Sequence, residues 1–361
     1  MLKYDPAVFA VGKYYQLIIT SKTQSFISVK IGNELFVDHS NGILRSASRT
    51  HNIEVPQSLL NSEKHYTVIE KPIIKRLAYF SQTRKDRFYE YDFYPVPEKD
   101  PVCYHIADAH NDTVMTTKAA KAFGKIDFLI LNGDVPNDSS KAENFGTIFE
   151  ICAALTKGNI PVVFARGNHD LRGKMAEKFA EYAPSMNGKT YYTFRLGKIW
   201  GICLDCGEDK RDENPEYGCT VACHPFRIEE TDYLKNVIKN AKKEYEEEED
   251  LIKLIIVHVP FTHKYEYPFD IEEDIYREWA ILLREKVNPD LMICGHTHRI
   301  AVYEPGCSYD TYGQPCKVIV ASELESGKRF KGTGFVFKKD KAELTFTDNK
   351  GNKEKKTLKY R

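Results

Sequence analysis

The sequence predicts two domains, a small all-β sandwich followed by a larger α/β domain. The chain has 361 residues, about twice the usual size of one domain. Short strand-like runs separated by turn residues fill its first part, up to about Phe93. Three prolines between Tyr94 and Pro101 then interrupt any strand or helix. Beyond them the pattern changes to a repeat of apolar strand, polar loop and helix. We therefore predict domains at residues 1–97 and 98–361.

The individual elements follow from the spacing of apolar residues. In the first domain we predict strands over residues 14–20, 25–30, 34–37, 66–69 and 88–94. In the second we predict strands over residues 103–107, 128–131, 162–165, 198–204, 254–257 and 291–294. Helical spacing covers residues 141–156, 229–247 and 271–285, and short strands return between residues 317 and 359. Several strands of the second domain are apolar on both faces, which is typical of a sheet covered by helices.

Composition limits the classes of function. Lys and Arg total 52, as do Asp and Glu, so the chain has no overall cationic field for a long polyanion. We therefore expect no extended nucleic-acid surface. We also expect no membrane partner, because no apolar run approaches 18 residues. The amino-terminal residues lack a signal-peptide pattern, and nine cysteines is an odd number. These features predict a cytoplasmic protein with reduced thiols.

Polar clusters follow the apolar strands of the second domain, each at the point where a strand ends. Parallel strands share an edge at their carboxyl ends, and sites in α/β sheets are built there. The clusters contain seven residues that can bind a metal ion, namely Asp108, His110, Asp134, Asn168, His258, His296 and His298. With His169, five of the eleven histidines belong to these clusters. This concentration favours a single site that the clusters form together.

The types of these residues indicate which ions would bind. Carboxylate, imidazole and amide oxygen together suit divalent Mn, Fe, Zn or Co better than Ca. Seven candidates are too many for one ion and fit two ions with a bridging carboxylate, an arrangement used in phosphoryl transfer. Taken singly, each residue has an ordinary alternative: His258 as a core histidine, and Asp108 or Asp134 as a cap of a helix or turn.

The motifs Asp108-x-His110, Gly133-Asp134, Gly167-Asn168-His169-Asp170, His258 and Gly295-His296-x-His298 resemble the signature of calcineurin-like metallophosphoesterases. The resemblance spans roughly Pro101 to Arg299 and implies a four-layer αββα sandwich with a dinuclear site. It assigns Asp108, His110 and His298 to one metal, Asn168, His258 and His296 to the other, and Asp134 to both.

The resemblance also implies hydrolysis of a small phosphate mono- or diester, which we expect to be compact. The two ions, most simply Mn, Fe or Zn, would activate a hydroxide for in-line attack. We expect His169 to act as the general acid, Asp170 to orient it, and Arg166 to hold phosphate oxygens. The alternative for Arg166 is a surface residue that caps its strand. The alternative for the whole protein is a catalytically silent recognition or scaffold protein that binds metal on the same fold.

The predicted N-terminal sandwich resembles the fibronectin-like domain of purple acid phosphatases in architecture only. Those enzymes have a tyrosine three residues after the second-motif aspartate, where this chain has Asn137, and they lack the counterpart of His110. We therefore predict no tyrosinate–iron chromophore. The role of this domain is open, with a scaffold as the default.

Four cysteines, Cys203, Cys206, Cys219 and Cys223, have a spacing compatible with a structural zinc site. Cys203 lies inside an apolar strand, however, so ordinary burial is the favoured interpretation. The polar segment from Gly207 to Gly218 is predicted to form a loop near the sheet edge that carries the metal-binding residues. We expect this loop to select the substrate.

Overall fold

The computed structural model describes residues 1–39 and 42–360 of the chain. The strands of this part are β1 (Ala7–Val11), β2 (Tyr14–Ile31), β3 (Glu34–Val37), β4 (Ser48–Pro56), β5 (His65–Lys75), β6 (Gln82–Thr83), β7 (Arg87–Asp92), β8 (Val102–Ile106), β9 (Phe128–Asn132), β10 (Val162–Ala165), β11 (Tyr192–Leu196), β12 (Ile199–Leu204), β13 (Ile252–Val257), β14 (Leu291–Cys294), β15 (Ala301–Tyr303), β16 (Lys317–Val320), β17 (Glu323–Glu325), β18 (Arg329–Phe337), β19 (Lys341–Asp348) and β20 (Lys353–Lys359). The α-helices are α1 (Gln57–Glu63), α2 (Thr113–Phe123), α3 (Gly146–Leu155), α4 (Cys223–Lys239) and α5 (Glu273–Leu282). Short 3-10 turns cover His169–Leu171, Ala176–Glu181 and Pro215–Tyr217, and π turns cover Lys242–Glu246 and Leu283–Val287.

Two mixed sheets form the centre of the molecule. The first has the order β20-β19-β18-β8-β9-β10-β1-β2-β5-β6, and β3, β4, β7 and β17 pair at its sides. The second has the order β11-β12-β13-β14-β16-β15. Strands β8, β9 and β10 are parallel to one another, and so are β12, β13, β14 and β16. The carboxyl ends of each parallel group therefore meet at one edge of its sheet.

Helices cover the outer faces, which confirms the predicted αββα order. Side chains alternate along each strand, so Leu129 of β9 packs outward with α2 and α3, and Ile130 packs inward against the second sheet. In β13, Ile255 likewise packs towards α4 and α5, and Leu254 packs between the sheets. The strands are apolar on both faces because both faces are buried.

The N-terminal part is rich in strands, as the sequence predicts. Two of its predicted strands, residues 14–20 and 25–30, are in fact one strand, β2, whose pairing with β4 shifts register between Thr20 and Ser25. The polar residues between them suggested a turn, but they lie at a bulge.

A further strand, β1, was not predicted, and it ties this part to the rest of the chain. Phe9 of β1 pairs in parallel with Val162 of β10, and the other edge of β1 pairs with β2. Leu17 and Val68 of the N-terminal part belong to the same buried cluster as Ile130 and Leu254. The hydrogen-bonded sheet thus runs across residue 97, and the boundary placed there stays a prediction.

Candidate metal centre

Loops from both sheets bring the seven predicted metal-binding residues to one place. The first sheet supplies Asp108 and His110 after β8, Asp134 after β9, and Asn168 after β10. The second sheet supplies His258 after β13, and His296 and His298 after β14. Every one of these residues follows the carboxyl end of its strand, which is why residues distant in sequence meet at one edge.

Asp108, His110 and His298 form the first group. The two Nε2 atoms of His110 and His298 lie 3.2 Å apart, and the second is 3.3 Å from Oδ1 of Asp108. One ligand atom from each residue lies within 4.8 Å of the others, which is close enough to share an ion. These are the residues that the resemblance assigns to one metal.

Asp108, Asp134 and His258 form a second, fully buried group of the same size. Nε2 of His258 lies 3.2 Å from Oδ2 of Asp134 and 3.7 Å from Oδ1 of Asp108. Oδ2 of Asp134 is also 4.0 Å from Nε2 of His110. Asp134 therefore contacts His258 within its own group and also approaches His110 of the first group.

Asn168 and His296 complete the set. Oδ1 of Asn168 and Nδ1 of His296 are 3.2 Å apart. The backbone N–H of His296 donates to both carboxylate oxygens of Asp108, at 3.1 Å each, and so joins a loop of the second sheet to one of the first. The rings of His258 and His296 are 5.4 Å apart.

The backbone of these loops is strained. Asp108, His110, Asp134, His296 and His298 all have positive φ angles, between 42° and 69°. A side chain in this region costs on the order of 1–3 kcal/mol, and such residues cluster at functional sites. Neighbouring hydrogen bonds hold the conformation, such as those from the Asp108 and His110 N–H groups to the carbonyls of Gly133 and Asp134, at 3.1 and 3.0 Å. The positive φ angles direct these side chains towards one point.

The orientation of His258 fits a metal ion. Its Nδ1 lies 2.7 Å from the carbonyl oxygen of Asn132, which can only accept, so Nδ1 carries the proton. Nε2 is buried and has no hydrogen-bond partner in the described part of the chain, although it faces two carboxylates. A second hydrogen bond that fixes the imidazole in this way is typical of metal-binding histidines.

The buried carboxylates of Asp108 and Asp134 place negative charge where a cation would bind. Burial alone would raise the pKa of Asp134, but the nearby His258 outweighs it and holds that pKa below the usual range. Burial would lower the pKa of His258, and the carboxylates of Asp134 and Asp108 instead raise it to about 10. Burial and the charge of His258 lower the pKa of His296 to about 4. The two buried carboxylates thus stabilise positive charge at their common centre.

A buried polar network lies beneath the site and joins the two sheets. The side-chain nitrogen of Asn132 lies 3.2 Å from the carbonyl oxygen of Val257 and 3.0 Å from that of Ile293. The same nitrogen is 3.1 Å from Nε2 of His105, whose Nδ1 contacts Ser322. Burial lowers the pKa of His105 to about 3, so the ring is neutral and accepts from Asn132. The network fixes the separation of the sheets just below the metal-binding loops.

We expect Gly167→Ala to weaken metal binding, because the glycine lies against the carboxylate of Asp134. A Cβ atom there would be 2.2 Å from Oδ1 of Asp134 and 2.9 Å from Cα of Gly133. Relieving such overlap costs about 1–3 kcal/mol and would displace the carboxylate. The measurement is metal content per chain together with urea unfolding. Gly146→Ala, at a site where the nearest atom is 3.3 Å away, serves as the control. Full metal content in Gly167→Ala would contradict the expectation.

His169 lies at the edge of the metal-binding group. Its ring is 4.7 Å from that of His110, and its Nδ1 is 2.9 Å from the carbonyl oxygen of Asn137. That carbonyl fixes the proton on Nδ1 and directs Nε2 away from the loop. Nη1 of Arg172 lies 3.2 Å from this Nε2.

Arg172 and Glu208 were not predicted as site residues. Nε and Nη2 of Arg172 donate to the two carboxylate oxygens of Glu208 at 2.9 Å each, so the pair is bidentate. Glu208 belongs to the 207–218 segment, which therefore lies beside the candidate metal centre. The sequence offered only a weak signal, an arginine two residues after Asp170.

Asp170 is placed differently from the expectation. Its Oδ2 accepts from the backbone N–H groups of Gly167 and Asp134, at 2.7 and 3.3 Å, and its Oδ1 has no hydrogen-bond partner among the described residues. Burial and the charge of Asp134 raise its pKa to about 8. The 3-10 turn directs Asp170 into the protein, so the carbonyl of Asn137, and not Asp170, orients the His169 ring.

Arg166 forms an ion pair with the buried Asp205, with 2.7 Å between Nε and Oδ2. Its guanidinium also lies over the ring of Phe226, at 5.4 Å. These contacts hold the guanidinium in place, and the alternative in which it caps its strand stays untested. Its predicted role in phosphate binding stays a prediction.

The four spaced cysteines are not gathered around one point. Cys203, Cys206 and Cys223 are buried, and Cys219 is exposed. In residues 1–39 and 42–360, the groups of side chains close enough to share an ion contain no cysteine. Burial, the favoured interpretation, accounts for three of the four.

Comparison with known proteins decides the family. The sequence model of the calcineurin-like phosphoesterases matches residues 102–299, more than half of the chain. The chain belongs to the calcineurin-like phosphoesterase family. No curated protein matches this phosphoesterase in sequence.

One solved structure supports the fold, and a second is reported beside it. A purple acid phosphatase from yellow lupin (Lupinus luteus) aligns with this phosphoesterase at a TM-score of 0.60 and 12% identity, over 99% of this chain and 74% of that chain. A dimetal phosphatase from Danio rerio aligns at a TM-score of 0.46 and 13% identity, over 74% of this chain and all of that one. At such identities the likeness concerns the fold alone.

In the described ranges of this phosphoesterase, none of the helices combines the length and apolarity that a membrane crossing requires.

Proposed function

We propose that the protein hydrolyses a compact phosphate mono- or diester at a centre of two divalent metal ions. The observation that carries the proposal is the convergence of Asp108, Asp134 and His258 with four further ligand-type side chains, in a calcineurin-like phosphoesterase. Two such ions, when bound, lower the pKa of water and stabilise charge on phosphoryl oxygens. We assign Mn, Fe or Zn on the basis of the carboxylate, imidazole and amide donors.

The ligand assignment for the first ion follows a group in the structure, and the assignment for the second follows the family resemblance. Asp108, His110 and His298 would hold one ion, and their short mutual distances support this. Asn168, His258 and His296 would hold the other, with Asp134 between the two. The proposal for the second ion is supported by the contact of Asn168 with His296 and by the buried Nε2 of His258, which faces the carboxylates of Asp134 and Asp108.

His169 would give a proton to the leaving oxygen. The carbonyl of Asn137 accepts from its Nδ1, so the proton for the leaving oxygen would be carried on Nε2. Nη1 of Arg172, which can only donate, would then have to leave that nitrogen for an oxygen of the substrate. The ring lies beside His110, which puts Nε2 close to the metal-binding group. A leaving alkoxide needs a proton as its bond to phosphorus breaks, and histidine suits this task near neutral pH.

Arg172 would bind the same oxygen or a phosphoryl oxygen next to it. Its Nη1 lies 3.2 Å from Nε2 of His169, so any atom that approaches this nitrogen also approaches the guanidinium. Glu208 holds the guanidinium in place through two hydrogen bonds, and Tyr217 donates to Glu208 in turn, at 3.1 Å. Arg172 is therefore presented in a fixed orientation.

We expect Arg172→Gln to lower kcat/KM about ten- to hundredfold, because a hydrogen bond from a cation to a charged oxygen contributes about 1.5–3 kcal/mol. Steady-state kinetics on the metal-loaded protein measure the effect. Arg277→Gln, which breaks a surface pair with Glu273 and a contact with the Tyr312 ring, is the control. Equal kcat/KM in the two variants would remove Arg172 from the site.

The proposed function is tested by turnover. The metal-free protein, prepared with a chelator, is supplied with Mn²⁺, Zn²⁺ or Fe²⁺ and assayed on a phosphomonoester, a phosphodiester and cyclic nucleotides. We expect hydrolysis of at least one ester that requires added metal. Stoichiometric metal binding without hydrolysis of any of them would support the silent scaffold instead.

A further inference from the structure

A hairpin tip in the N-terminal part exposes large apolar side chains. The segment of residues 74–85, here called the 74–85 hairpin, joins the end of β5 to β6 and leads on to β7. Tyr79 is 92% exposed and the adjacent Phe80 is 85% exposed. Ile74 and Leu77 are about half exposed. Scattered apolar side chains are ordinary on a protein surface, but several on one tip indicate a contact site.

The same hairpin is strongly cationic. It contains Lys75, Arg76, Arg84 and Lys85 and no acidic residue, in a chain whose formal charges balance overall. The acidic residues on either side are already paired, since Glu70 lies 3.4 Å from Arg87 and Asp86 lies 3.0 Å from Lys71. Within the described ranges, the four cations of the hairpin form no ion pair. Their charge is therefore available to an external anionic partner.

The combination of an aromatic tip with cationic flanks fits a lipid surface. Aromatic side chains favour the boundary between lipid tails and head groups, and each nearby Lys or Arg adds attraction to an anionic leaflet. A protein partner would need a face of about 800 Å² on each side, which a narrow turn with two prominent side chains does not offer.

We propose that the 74–85 hairpin binds the surface of an anionic lipid bilayer. Tyr79 and Phe80 enter the interface between head groups and tails, and the four cations face the lipid phosphates and carboxylates. This inference goes beyond the proposed function and does not depend on it. It departs from the expectation of no membrane partner, which rested on the absence of a long apolar run.

The test is sedimentation of the full-length protein with vesicles of phosphatidylcholine, with and without phosphatidylserine. We expect binding only with phosphatidylserine, and binding that weakens as salt increases. The double variant Tyr79→Ser/Phe80→Ser should bind at least roughly tenfold more weakly, because burial of the two rings in the lipid is lost. Lys75→Gln/Arg76→Gln should weaken binding roughly tenfold through lost attraction. Both variants should keep the turnover of a soluble ester.

Matched controls separate the hairpin from general surface effects. Tyr267→Ser removes an aromatic ring that is 86% exposed elsewhere, and Lys355→Gln/Lys356→Gln removes two exposed cations from β20. Both should bind vesicles like the unmodified protein. The inference is overturned if phosphatidylserine vesicles do not bind the protein, or if the hairpin variants bind as well as the controls. A dimer that Tyr79→Ser/Phe80→Ser converts to monomer would also overturn it, because a second copy would then cover the tip.

Discussion

Asp134→Asn should reduce turnover roughly 100-fold or more with any divalent metal. Replacing a residue that only supports a metal ligand typically costs 10- to 100-fold in metal affinity or activity, so loss of a bridging ligand should exceed that. Asp134 lies near Nε2 of both His110 and His258 in the candidate centre. An amide keeps the shape of the side chain but removes its negative charge, and with it the attraction that two neighbouring cations need.

Metal content per chain and turnover, measured on the same preparation, check this expectation. Asp134→Asn should hold at most one ion, and the unmodified protein should hold two. Asp86→Asn, which affects only a surface pair with Lys71, should match the unmodified protein in both measurements. Urea unfolding without metal would show whether the variant is folded. Two ions and full turnover in Asp134→Asn would rule out the bridging role.

His169→Ala should lower kcat about 10²- to 10⁴-fold, the usual contribution of a general acid, while both ions remain bound. The loss should depend on the leaving group. An alkyl phosphate releases a strongly basic alkoxide and needs the proton, whereas a nitrophenyl phosphate releases a weakly basic phenolate and needs it much less. The alkyl ester should therefore suffer the larger loss.

Comparison of the two esters distinguishes proton donation from a structural effect. His224→Ala, which removes an exposed histidine paired with Glu272, is the matched control and should leave both rates unchanged. An equal loss on the two esters would assign His169 a role in positioning instead of proton transfer. Loss of one ion in the variant would mean that His169 binds metal, as its closeness to His110 and Asp134 would allow.

The convergence of the candidate metal-binding side chains could be predicted from the sequence because these residues follow rigid strands. Asp108, Asp134 and His258 each follow a short apolar run, and the edge of a parallel sheet brings the ends of such strands together. The αββα layers follow from the same strands, since a run that is apolar on both faces requires cover on both sides.

What the sequence missed depends on loop conformation and on distant partners. Arg172 reaches Nε2 of His169, and Asp170 points inward, because of a single 3-10 turn that leaves no periodic signal. The carbonyl of Asn137 orients His169 through the backbone, which side-chain identity cannot indicate. The β1 run was not recognised as a strand of the central sheet, since its partner β10 lies about 150 residues further on.

The place of β1 in the sheet also affects the order in which the chain can fold during synthesis. At roughly 5–20 residues per second, the ribosome makes Val162 about 8–30 s after Phe9, its partner. Throughout that interval one edge of β1 lacks its neighbour, and an open strand edge can pair with other chains. The N-terminal strands are made before β10, yet β1 gains its second neighbour only after β10 emerges. A growing chain of this protein therefore depends on β10 to close the edge at which aggregation would begin.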